Sequence, residues 1–117
     1  MPHTLENYLR TYRRRAGLSQ DEMAFLLGTK SGTKVSRYER LHREPSLRTA
    51  FAYEVIFRAP LRELFAGAYE KTARATLRRR GLLIEKLREG RQDRLTAQKL
   101  TALGAASQVE KASARLR

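Results

Sequence analysis

The stretch that decides the fold runs from Leu18 to Ser46 and reads LSQDEMAFLLGTKSGTKVSRYERLHREPS. Ser19, followed three residues later by Glu22, makes a capping box. The serine hydroxyl accepts from the Glu22 amide, and the carboxylate reaches back to the Ser19 amide. A helix is predicted from there, with Met23, Ala24 and Leu27 inward and Gly28 as its stop. A second short helix is expected near Thr33 to Leu41, with Val35 and Tyr38, three residues apart, facing a core. Glu44-Pro45-Ser46 ends it, because the residue before a proline avoids helical angles. Two short helices thus meet at a tight turn, and the second carries cations on its outer side.

Working outward, a first helix is expected from about Leu5 to Ala16, with Leu5, Leu9, Tyr12 and Ala16 on one face and Gly17 ending it. Ser46 caps a fourth helix through Phe57, which contributes Leu47, Ala50, Tyr53 and Ile56 to the core. Pro60 starts a short fifth helix that buries Leu61, Leu64 and Phe65. No strand-like alternation persists, so the chain reads as all-α, with five helices in residues 1–66. Beyond Gly67 a basic helical extension, residues 67–117, is expected. Its two helices are predicted near Tyr69 to Arg88 and Arg94 to Arg115, parted at Gly90. The last places Leu95, Ala102, Val109 and Leu116 seven residues apart, a weak stripe suited to dimerisation or partner binding. Gly104 in its middle costs about 1 kcal/mol relative to alanine.

Charge narrows the function classes. Twenty-five Lys and Arg, nineteen of them Arg, stand against twelve acids, a net +13. The extension carries +8 of this and residues 1–66 carry +5. Such a field gathers polyanions, and nucleic acid is the expected partner. No run of 18 uncharged apolar residues would span a bilayer. The start, MPHTLENYLR, lacks the pattern of a secretion signal. Cysteine is absent, which excludes disulfides and thiol chemistry. These features fit a cytoplasmic protein.

With these residues in view, positions 5–65 resemble the helix-turn-helix domain of the xenobiotic-response-element (XRE) family, which includes the Cro-like phage repressors. LSQDEMAFLLG, VSRYERLHREPS and the closing PLRELF carry the resemblance. It implies a five-helix lambda-repressor-like domain that binds double-stranded DNA, with helix three in the major groove. Base edges would be touched by Gly32, Thr33, Lys34 and Arg37. Of these, Arg37 is the best candidate, since its fork matches the two acceptors on guanine. Thr33 could pack on a thymine methyl, and Lys34 suits a phosphate. Phosphate contacts would come from Arg13, Arg14, Gln20, Ser36, Arg40, His42 and Arg43. The family also pairs a helix-one arginine with the glutamate ending helix three, here Arg13 and Glu39. Members usually act as homodimers and regulate transcription, commonly as repressors.

The chain departs from the family pattern in the turn, where TKSGTK is one residue longer. It also departs at Leu41 and Arg58, which replace glycines after helices three and four and predict altered helix ends. Phe25, Leu26, Phe51 and Val55 add apolar surface where docking would be expected, either of the C-terminal helices or of a second copy. Two rival readings keep the same charge: the antitoxin of a toxin–antitoxin pair, whose residues 67–117 wrap a protein, and a coactivator or RNA-associated module that reads no sequence. An enzyme is not expected. His3 and His42 are isolated, and no phosphate-cradling glycine loop, catalytic residue set, metal-ligand spacing or cofactor motif occurs.

Overall fold

A computed structural model describes residues 5–105. Among them are seven α-helices and no strand: α1 (Leu9–Arg15), α2 (Gln20–Leu27), α3 (Gly32–Glu39), α4 (Leu47–Phe57), α5 (Leu61–Leu64), α6 (Ala66–Glu89) and α7 (Arg94–Ala102). The chain divides into two compact units, one up to Thr72 and one from Ala73 on.

The first unit is built on local signals that act as the sequence dictates. Both halves of the Ser19–Glu22 capping box form, at 3.0 and 2.9 Å. Hydrogen bonds to Ser19 hold the Glu22 carboxyl below its usual range. Gly28 ends α2 in the left-handed conformation, and the Ser46 hydroxyl accepts from the Thr49 amide to open α4. Around these caps, Leu9, Met23, Ala24, Val35, Tyr38, Tyr53, Ala59 and Leu64 form the buried core. Tyr53 lies at its centre, stacked near Phe57 and edge-on to Phe65. Such aromatic pairs add to the stabilisation that burial alone supplies.

Three expectations need correction. Leu5 is not helical and is exposed, because residues 5–8 leave the α1 axis and pair elsewhere. The Tyr8 amide donates to the Leu64 carbonyl, and the Gly67 and Ala68 amides donate to the Leu5 and Glu6 carbonyls. Helix α1 therefore starts at Leu9, whose amide is taken by the Asn7 side chain, and Ala16 at its far end is exposed. Leu47 is also exposed, so α4 turns Tyr53 inward, half-buries Ala50 and Ile56, and leaves its first apolar residue in solvent.

The third correction concerns the second unit. Helix α7 opens where expected, with the Asp93 carboxylate accepting from the Thr96 amide, which lowers that carboxyl's pKa. It ends at Ala102, and Gly104 follows with φ +78°, so this glycine terminates the helix rather than weakening its middle. Thr96 and Leu100 are the buried residues of α7, while Leu95 and Ala102 of the expected stripe are exposed. Val109 and Leu116 lie outside the described residues.

Candidate nucleic-acid interface

Helix α3 is amphipathic in the way a presented helix must be. Val35 and Tyr38 are buried, and the Tyr38 carbonyl is held by the Asn7 side-chain amide. Thr33, Lys34 and Arg37 are exposed on the opposite arc, with Ser36 half-buried at its edge. At 100° per residue, Ser36, Arg40, Thr33, Arg37 and Lys34 fall on one continuous outward face. Arg37 joins no ion pair among the described residues, which leaves its fork free.

The start of α3 is fixed by a contact that sequence reasoning missed. Ser31 occupies the N-cap position but makes no side-chain cap. Instead, Asp21 in the first turn of α2 accepts from the Gly32 amide at 3.0 Å. Gly32 is buried, and a Cβ there would fall 2.7 Å from the Asp21 carboxylate and 3.0 Å from the Gln20 Cβ. Gly32 is therefore the packing point of α3 on α2, not one of the outward residues. Helix α3 begins at this point, so Thr33, Lys34 and Arg37 follow in the first turns of a well-anchored helix. Nothing local in the sequence announces an acceptor eleven residues upstream.

The far end of α3 is held by the expected pair. Arg13 donates through Nε and Nη2 to the two Glu39 oxygens, at 2.7 and 3.0 Å, and through Nη1 to the Leu18 carbonyl at 2.9 Å. The hydrogen bond to Glu39 raises the guanidinium's pKa against the opposing effect of burial. Arg13 is 8% exposed, so the structure gives it the role of a tie rather than of a free phosphate clamp. Gln20 extends the network with a long bond to the same Glu39, at 3.4 Å.

A cleft of about 840 Å³ opens between α1, α2 and α3. Arg14, Gln20, Thr33, Ser36 and Arg40 line it, with Arg13 at its base. The structure thus brings most of the expected phosphate residues to one place, next to the outward arc of α3. His42 and Arg43 are exposed beyond the C-terminus of α3 and do not line this cleft. Arg43 instead borders a smaller cavity with Tyr38, Leu41 and Pro45. Leu41 reaches that position with φ +65°, which accounts for the absence of a glycine as a strained turn rather than a continued helix.

A helix presented outward, with polar and cationic residues lining a cleft at its N-terminal half, defines a DNA-binding helix-turn-helix domain. The helix-turn-helix family model matches residues 9–64. Residues 9–64 therefore form a helix-turn-helix domain of the XRE type, a class that binds DNA in transcription regulators. No curated protein and no solved structure matches the chain. Among the described residues, no helix is long and apolar enough to cross a membrane, and no acidic or histidine cluster could hold a metal.

Proposed function

We propose that the protein is a cytoplasmic, sequence-specific transcriptional repressor that binds double-stranded DNA as a homodimer. One observation carries the reading. Thr33, Lys34 and Arg37 stand exposed on one arc of α3, while Val35 and Tyr38 on the other arc are locked into the core. Arg37 reads guanine through two hydrogen bonds, Thr33 contacts a thymine methyl, and Lys34 positions the helix from the groove edge. Arg14, Gln20, Ser36, Arg40, His42 and Arg43 hold phosphates and set register without reading bases. Arg13 serves them by fixing α3 through Glu39.

Pairing two copies would set half-sites about 34–36 Å apart. Leu47, Phe51 and Val55 support such pairing: they recur every four residues on α4 and are all exposed, Val55 at 77%. Phe25 on α2, 82% exposed, adds to the apolar surface. Selection of random duplexes at fixed salt tests the whole reading. A two-fold symmetric motif is expected, and deleting the protein should raise transcription beside that motif in the genome. Recovery of unrelated sequences at equal affinity would refute it.

A further inference from the structure

Helix α6 carries a charge pattern that the reading of α3 does not use. From Lys71 to Ile84, fourteen residues hold five cations and no acid, while Glu70 and Glu85 bound the stretch on the same helix face as Arg74 and Arg78. Lys71 pairs with Glu6, but Arg74, Arg78, Arg79 and Arg80 are exposed and join no ion pair among the described residues. Like charges at i, i+4, such as Arg74 and Arg78, weaken a helix unless something outside it neutralises them.

Gly81 is the second, independent observation. It lies inside a 24-residue helix, and a Cβ placed on it would meet nothing within 4 Å among the described residues. Glycine destabilises a helix interior, and no close packing here calls for it. It falls seven residues after Arg74 and three after Arg78, so all three share one face. Along the axis, Arg74 and Arg78 are about 6 Å apart and Gly81 is about 4.5 Å further on. The face therefore sets bare backbone beside two arginine forks, which lets an extended anionic strand lie close. It offers no aromatic anchor of the kind that holds a protein partner.

We propose that the Arg74–Arg78–Gly81 face of α6 is a second phosphate-binding strip, which takes DNA-backbone phosphates that α3 does not contact. The proposal rests on the DNA-binding reading above and lengthens its footprint. Arginine forks on phosphate oxygens give strong, sequence-independent contacts, so the strip adds affinity and salt dependence without altering base preference.

The test uses the full chain on a duplex carrying its selected motif, with short or long flanks, over a salt series. For Arg74→Gln with Arg78→Gln, the slope of log K against log salt should fall by about 1.8, at about 0.9 for each phosphate no longer neutralised. The advantage of long flanks should disappear, and base preference should be unchanged. Gly81→Leu should raise helicity and thermal stability yet weaken binding to the long duplex, a combination that a solvated face would not give. An unchanged salt slope in the double variant, or full affinity in Gly81→Leu, overturns the proposal. So does an unchanged slope when the wild-type chain binds polyglutamate and the double variant does not, the result expected of a site for an acidic protein partner. Failure of the underlying reading looks different: the wild-type chain would bind all duplexes alike while the double variant still flattened the slope.

Discussion

Arg13 and Glu39 face each other almost out of water, with side chains 10% and 3% exposed. Breaking such a pair leaves an uncompensated charge in the interior. Arg13→Ala should cost about 3–5 kcal/mol in denaturant unfolding, while replacing both partners with apolar residues of similar volume should recover most of it. The Tyr53 hydroxyl presents the opposite case. It is buried, lacks a hydrogen-bond partner among the described residues, and its pKa is pushed up chiefly by burial. Tyr53→Phe removes an unsatisfied group without changing the ring, and should stabilise the domain by about 1 kcal/mol. In the proposed function, Arg37 reads bases and Arg14 holds phosphate, and substitutions at the two should differ. Arg37→Ala should cost about 1–3 kcal/mol and relax preference at one base pair. Arg14→Ala should weaken binding to every duplex and lower the salt slope by about 0.9. Competition binding over a panel of single-base variants distinguishes the two, and uniform weakening by Arg37→Ala would end its assignment as a base reader.

Helices α2 and α3 were legible in the sequence because their signals are local: a capping box, a glycine stop, and two core residues at helical spacing. The ends of α3 and α4 were legible in part, since Leu41 and Arg58 stand where the family carries glycine. The structure puts both at positive φ, +65° and +55°. Left-handed angles cost a residue with a Cβ about 1–2 kcal/mol. Glycine would remove that strain and lose about 0.4–1 kcal/mol through the freer unfolded chain. Arg58→Gly should therefore raise stability by about 0.5–1 kcal/mol, seen as an upward shift in Tm. What pattern reading missed depends on distant partners. Apolar spacing allows the face of α1 to extend to Leu5, and nothing nearby in the sequence shows that carbonyls 5 and 6 are taken by amides 67 and 68. The contact of Asp21 with the Gly32 amide is equally invisible to local pattern. Helix α7 stops short of the predicted Arg115 because Asp93 caps its start and Gly104, at φ +78°, follows its end.

Across the first unit as a whole, the two ends of the chain segment meet at Gly67. A Cβ there would lie 2.4 Å from the Leu5 carbonyl oxygen and 2.7 Å from the Glu6 Cα. Both are backbone atoms, so no side chain can swing away. Gly67→Ala should cost about 1–3 kcal/mol by forcing these two backbone segments apart. The loss should appear in unfolding midpoints, with DNA sequence preference retained in the folded fraction.

The seam between residues 5–8 and the opening turn of α6 also fixes where the domain can be cut. A fragment trimmed at residue 64, the edge of the recognisable motif, would strip two carbonyls of their amide donors and remove the Lys71 counterion of Glu6. The first compact unit accordingly extends through Thr72, and a fragment cut there should keep the opening turns of α6 with the helix-turn-helix domain.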